Sequence, residues 1–421
     1  YHEQFEPGVY KVDITKTLKP KKIVNGRRQI DSWETDHNNV VRFGDGTSDR
    51  RGSNAMRYVA YYRPKEGDDW NTLFDIDMIK VEVPFEFAGF STNPNVIYVI
   101  KNDENGRRAG FTYDVLRKRF LKKIISVDGY DISNIQMDDE GKLESYTYYD
   151  KQPRVVYLNE DKQKLLEQLH KIFPDKSINF NDRTEDENTV IFEVTSPTEP
   201  GTFYIFDQAN KKMEMLGYNY KSVDVDALSE MTPISYPARD GLEIPGYLSL
   251  PKGSDNKLLP TVILPHGGPA ARDNWRFDFW TQFLTNQGYA VLQMNYRGST
   301  GYGNQYRDMG KHQWGGKMID DINDGANWMI EQGYADPKRI CIVGASYGGY
   351  AALQSVVKDP SIYKCSVAFA PVANLNNRVQ YYKDFGDTNF YIDYIESDDY
   401  TLEEASPSFN IDKLNIPILL I

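Results

Sequence analysis

The sequence predicts two architectures in series, an all-β propeller over residues 1–235 and a parallel-sheet α/β sandwich over residues 236–421. Three observations carry that reading. Short runs rich in Tyr, Phe, Val and Ile, broken by polar turns and nearly free of helical periodicity, fill the first part. Strand-like runs there begin about 40 to 47 residues apart, the length of one propeller blade. From "YPARDGLEIPGYLSLPKG" onward, apolar strands alternate with longer amphipathic segments, as βαβ units require.

The repeat is marked by "RYVAYYRP" from Arg57, "NVIYVIKND" from Asn95, "KLESYTYYDKQPRVVYL" from Lys142 and "NTVIFEVTS" from Asn188. In two units a further strand follows, within "FTYDVLRKRFLKKI" and "TFYIFDQANKKMEML". A pair of β-sandwiches is the competing arrangement. At about 45 residues per blade the region holds only about five. One segment is helical: "KQKLLEQLHKIF" places Leu165, Leu166, Leu169, Ile172 and Phe173 on one face. The polar "DKSINFNDRTEDEN" after it reads as a loop.

In the second part, strands are expected at Thr261–Leu264, Ala290–Asn295, Arg339–Val343, Ser366–Ala370 and Ile416–Ile421. Helices fill the gaps. "WGGKMIDDINDGANWMIEQG" carries Met318, Ile322, Ala326, Met329 and Ile330 at helix-face spacing and closes on Gly333.

Bulk properties exclude several functions. A formal net charge of −12, with no basic run interleaved with aromatics, argues against a nucleic-acid partner. No stretch reaches the roughly 18 apolar residues that cross a bilayer. The chain starts at Tyr1, so cytoplasmic and exported locations, the latter with a leader removed, are both compatible. Cys341 and Cys365, in apolar strand-like runs, read as buried thiols rather than a disulfide or metal site. The 30 Tyr and 20 Phe read as blade packing.

The sharpest signal is "RICIVGASYGGYAAL", a strand, a glycine-rich turn and a helix. Gly344-Ala345-Ser346-Tyr347-Gly348 satisfies G-x-S-x-G in the context of a nucleophile elbow, where a strained serine needs small neighbours two residues away on each side. Gly344 and Gly348 supply them, and Ser346 is the candidate nucleophile. No Lys follows the glycines, so the phosphate-loop pattern is not met. After the first parallel strand, "HGGP" from His266 offers a loop whose backbone can approach a reacting carbonyl. Gly268 N–H and Tyr347 N–H are the candidate oxyanion donors. His266 reads as a structural residue of that loop. Arg297 reads as an ion-pair partner before a substrate contact, and Asp321 and Asp324 as solvated or locally paired.

With these residues in view, the chain resembles the prolyl oligopeptidase family of serine peptidases, in particular its acylaminoacyl-peptidase branch. The resemblance rests on "ARDGLEIPGYLSLP", "HGGP", "NYRGSTGYG", Asp321 and Asp324, "DPKRICIVGASYGGYAA" and "SPSFNIDKLNIPILLI", and covers residues 235–421. It implies an α/β-hydrolase domain preceded by a propeller, acyl-enzyme chemistry on short peptides, a Ser, Asp, His triad in that order, and no metal or organic cofactor. A homo-oligomer is compatible with it. The histidines are His2, His37, His170, His266 and His312, so none follows Ser346. The triad acid would lie beyond the strand at "IPILLI"; Asp384, Asp387, Asp393, Asp398, Asp399 and Asp412 precede it and are not assigned. The expectation is therefore a chain lacking its triad Asp and His, incomplete in both domains and by itself inactive. Rival expectations are an esterase of small acyl esters and a non-catalytic pseudoenzyme.

Overall fold

The computed structural model describes residues 6–16, 18–27, 29–49, 56–78, 81–385, 392 and 394–421. His2, Asp387 and Asp393 lie outside them. The chain forms two compact units, Tyr1–Tyr148 with Asn377–Tyr394, and Tyr149–Asn376 with Ile395–Ile421.

In the first unit, β1 (Val9–Val12) and β2 (Pro20–Val24) form a two-stranded ribbon. Strands β3 (Ser32–Thr35), β4 (Val41–Asp49), β5 (Met56–Tyr62) and β6 (Asn71–Asp77) make an antiparallel meander. A second meander comprises β7 (Glu86–Phe90), β8 (Val96–Asn102), β9 (Arg108–Asp114) and β10 (Arg119–Ile125). Phe43, Tyr62, Phe90, Ile97 and Val99 belong to one buried cluster shared by these two sheets. A third sheet, β11 (Ile132–Met137), β12 (Leu143–Tyr149) and β13 (Pro153–Tyr157), leads the chain into the second unit.

Several hairpins close on the same device. Asp36, Asp103 and Asp138 each accept backbone N–H bonds from the residues two and four positions on, replacing the ladder bonds a turn forfeits.

The second unit begins with helix α1 (Glu160–Ile172), whose Asn159 cap accepts from the Asp161 and Lys162 N–H groups. Leu165, Leu166 and Leu169 are buried as expected. Ile172 shares their face but occupies the last helical position and is exposed, and Phe173 packs into the cluster instead. A fourth meander follows: β14 (Ser177–Arg183), β15 (Thr189–Ser196), β16 (Glu199–Asp207) and β17 (Lys212–Tyr218).

Two expectations are corrected in these sheets. The segment read as a polar loop contains β14, an edge strand held by backbone pairing to β15 with only Ile178 buried. Each segment read as one further strand holds two, β9 with β10 and β16 with β17. Before the α/β sheet, the described residues hold these four sheets and the ribbon.

The α/β sheet comprises β18 (Met231–Pro237), β19 (Glu243–Ser249), β20 (Leu259–Ile263), β21 (Ala290–Met294), β22 (Ala335–Ala345), β23 (Cys365–Phe369) and β24 (Ile418–Leu420). Their order is β18-β19-β21-β20-β22-β23-β24. It is mixed rather than wholly parallel, because the β18–β19 hairpin joins β21 antiparallel. The remaining pairings are parallel, joined through α2 (Phe279–Asn286), α3 (Asn304–Asp308), α4 (Lys317–Glu331), α5 (Tyr347–Lys358) and α6 (Leu375–Phe385). Val262, Ile263, Val291, Leu292, Ile340 and Ile342 are buried, as strands covered on both faces require. Helix α4 buries Met318, Ile322, Ala326 and Met329, and Gly333, at φ 77°, donates its N–H to the Ile330 carbonyl to close the helix.

The cysteines are not separate thiols. Parallel pairing of β22 with β23 sets Cys341 opposite Cys365, with Cα atoms 4.7 Å apart, and the two are disulfide-bonded. The 24-residue separation spans α5, which hides their adjacency in the sequence.

Candidate active site

Ser346 stands where β22 ends and α5 begins, at φ 57° and ψ −119°. A residue with a β-carbon holds such a backbone only where its surroundings impose it. Here they do. A β-carbon on Gly344 would lie 2.3 Å from the Gly348 carbonyl oxygen, and one on Gly348 would lie 2.3 Å from the Pro265 carbonyl oxygen. The Ser346 N–H is tied to the Phe369 carbonyl of β23 at 2.9 Å. Between buried Gly344, Tyr347 and Gly348, Ser346 is exposed, and its hydroxyl neither caps α5 nor bonds any described residue. The Tyr347 N–H opens α5, where helical geometry provides no intrahelical acceptor.

The loop after β20 lies against this turn. A β-carbon on Gly267 would come within 3.5 Å of the Ser346 Cβ. Two carbonyls of the loop are pinned. The Tyr296 hydroxyl donates to the His266 carbonyl at 2.7 Å, and His266 Nδ1 lies 2.7 Å from the Gly267 carbonyl. That carbonyl can only accept, so the proton of the neutral ring sits on Nδ1, with Nε2 2.9 Å from the Ser299 hydroxyl. Burial pushes the His266 pKa down to about 4, against the hydrogen bond to Gly267, so the ring is neutral at pH 7. Carbonyl and N–H oppose each other across a planar trans peptide, so fixing the Gly267 carbonyl also fixes the direction of the Gly268 N–H. The Nδ1 proton of His266 is thereby committed to the Gly267 carbonyl, which suits a loop-holding residue rather than a general base.

Tyr296 and Ser299 were not singled out in the sequence. Their signal was available: "NYRGS" follows β21, the strand beside β20, so its residues emerge next to the "HGGP" loop. Tyr296 stacks on His266 with ring centres 4.4 Å apart. Arg297 turns to other partners, Asp321 at 2.7 Å and Asp240 at 2.9 Å. Burial alone would lower the Arg297 pKa; the hydrogen bonds it donates to Asp321 and Asp240 outweigh that and raise it, so the guanidinium stays charged. Asp321, expected to be solvated or locally paired, is fully buried in this interaction, and Asp324 pairs with Arg239 at 2.7 Å. Among the described residues no group of three His, Cys, Asp or Glu side chains is arranged to hold a metal ion. No helix there is long and apolar enough to cross a membrane.

Residues 275–421, which include the serine turn, match the model of the prolyl oligopeptidase family. The chain carries a prolyl oligopeptidase family domain. Dipeptidyl aminopeptidase BIII of Pseudoxanthomonas mexicana is 31% identical over 274 residues, 61% of this chain and 39% of the relative. Dipeptidyl peptidase family member 6 of Caenorhabditis elegans is 28% identical over 406 residues, 86% and 54% respectively. The chain spans about half the length of the curated relatives it matches. Among solved structures, a puromycin hydrolase aligns with a TM-score of 0.69 at 18% identity, over 95% of this chain and 62% of that one. The acylaminoacyl peptidase of Pyrococcus horikoshii aligns with a TM-score of 0.65 at 16% identity, over 98% and 74%. The shared fold is an N-terminal propeller with a C-terminal α/β hydrolase. The structure brings together Ser346, Gly344 and Gly348, which lie within the matched residues, and the loop of Gly267 and Gly268, which precedes them, while Arg297 is drawn into ion pairs with Asp240 and Asp321.

Proposed function

We propose that the full-length protein is a serine peptidase of short peptides acting through an acyl-enzyme on Ser346. The observation that carries this is the imposed backbone at Ser346, which leaves an unbonded, exposed hydroxyl at the N-terminus of α5 beside the pinned glycine loop. Ser346 Oγ attacks the scissile carbonyl, and its proton passes to the histidine, oriented by an aspartate, of the triad that the resemblance implies. The Gly268 and Tyr347 N–H groups receive the negative charge of the tetrahedral oxygen. Collapse expels the amine, and water then releases the acyl group. The catalytic domain runs from about residue 236, and the sheets before it belong to the propeller. The names of the relatives, dipeptidyl aminopeptidase among them, favour peptide over ester substrates.

The test is turnover by the full-length protein of dipeptidyl and acylaminoacyl anilides and of simple aryl esters. The expected result is anilide hydrolysis that Ser346→Ala abolishes. Ester hydrolysis without anilide hydrolysis identifies an esterase, and no turnover of either identifies a non-catalytic protein.

A further inference from the structure

Beside the glycine loop lies a guanidinium that forms no ion pair with a carboxylate among the described residues. Arg272 stacks over the Tyr302 ring at 4.6 Å and over Tyr149 at 5.2 Å. Its Nη2 donates to the Tyr302 hydroxyl at 3.1 Å and its Nε to the Asp273 carbonyl at 3.3 Å. The Tyr247 hydroxyl is a further neighbour; burial raises its pKa to about 12, with Arg272 opposing the rise. All these acceptors are neutral, and among the described residues no carboxylate forms an ion pair with Arg272. The contrast with Arg297, which holds two carboxylates, is plain.

The acidic side chain next in sequence forms no ion pair with Arg272, although Arg272 counters the rise in its pKa. Burial raises the Asp273 pKa to about 7, and its Oδ2 is buried without a hydrogen-bond partner. The cationic side chain is instead held in place by aromatic faces and by a glycine. A β-carbon on Gly301, which sits at φ 86°, would lie 2.5 Å from Arg272 Nη1, so only glycine lets the guanidinium lie there.

Its position relates it to the chemistry. The loop folds back after Gly268, with the Ala271 N–H bonded to the Pro269 carbonyl at 2.8 Å, and a β-carbon on Gly268 would meet the Ala271 Cβ at 3.1 Å. Gly267, one residue earlier, packs against Ser346. Arg272 also acts on the His266 ring, lowering its pKa by charge repulsion. Arginine recognises carboxylates through planar, paired N–H donors, and stacking fixes its plane in advance.

Resting on the peptidase reading above, we propose that Arg272 is a specificity determinant that binds a carboxylate of the substrate. That carboxylate is either the free C-terminus of a short peptide or an acidic side chain close to the scissile bond. Both sources present the same group, and the test separates them.

Two peptide pairs are assayed with the full-length protein: one differing only in a free or amidated C-terminus, the other only in Glu or Gln beside the scissile bond. The expected result is a kcat/KM about tenfold or more higher for the charged member of one pair, falling as salt is raised. The pair that shows the preference names the source. Arg272→Gln removes the preference while leaving the uncharged member within about twofold, and Arg272→Lys retains part of it. Equal rates within both pairs in the wild type, or an equal loss on both members in Arg272→Gln, overturns the proposal. A structural role alone gives that equal loss. If Ser346 proves unreactive, calorimetric binding of the same pairs still reads Arg272, so failure of the catalytic reading and failure of this one are distinguishable.

Discussion

The blades and the α/β sheet solve the same problem, burying strands, in opposite ways. Each meander closes on itself through short hairpins, and a recurring aspartate at the turn does the work that a motif would otherwise do. In the α/β sheet, neighbours in space are far apart in sequence, and the turns at the strand ends are fixed by backbone contacts that admit only glycine. Substitution in the blades should therefore move stability alone, whereas substitution at the ends of β20, β21 and β22 should move chemistry.

The largest effect is expected at the serine. In the full-length protein Ser346→Ala should lower kcat by about 10⁴-fold or more with the melting temperature nearly unchanged, as measured by anilide turnover and calorimetry. Gly348→Ala comes next. Its new methyl would meet the Pro265 carbonyl, so a loss of about 1–3 kcal/mol in denaturant unfolding should accompany a fall in kcat. Retained activity there would break the claim that the elbow is set by contact.

His266→Ala frees the Gly267 carbonyl. It should cost about 10²-fold in kcat with little change in KM, as does removal of one oxyanion donor. The same residue makes a pH prediction. Burial lowers its pKa from 6.5 to about 4, so across that window the unfolded chain binds a proton that the folded chain refuses. Stability therefore falls as pH drops from about 6.5 towards 4. His266→Gln should flatten that part of the curve in denaturant midpoints taken at pH 7 and pH 5.

In the blades, Ile97→Ala empties a fully buried site and should cost about 2–5 kcal/mol while leaving kcat at permissive temperature intact. The smallest effect belongs to Gly129, at φ 77° with open space around it. Ala there should cost only the left-handed backbone penalty of about 1–2 kcal/mol and leave turnover unchanged.

The same contrast explains what could be read from the sequence. The strands of the α/β sheet are legible as apolar runs because both faces are covered, and the elbow is legible because glycines flank one serine in a strand-to-helix context. The blades gave a period without a register. Asn95, Lys142 and Asn188 fall at second strands, but Arg57 falls in the third strand of its sheet. The turn aspartates, at Asp36, Asp103 and Asp138, would have marked the hairpins better than the apolar runs did. β14 escaped because an edge strand needs backbone partners more than apolar side chains. The Cys341–Cys365 bond and the hold of Tyr296 and Ser299 on His266 escaped for a different reason. Each joins neighbouring parallel strands, and a crossover separates their residues along the chain.

The central claim is that packing at Gly344 and Gly348 presents the Ser346 hydroxyl for attack. Its most direct measurement is reaction of the full-length protein with a fluorophosphonate, followed by mass-spectrometric mapping of the adduct. The account predicts a single adduct on the peptide containing Ser346, absent in Ser346→Ala and strongly slowed in Gly348→Ala. An adduct on another residue, or labelling that survives Ser346→Ala, would contradict it.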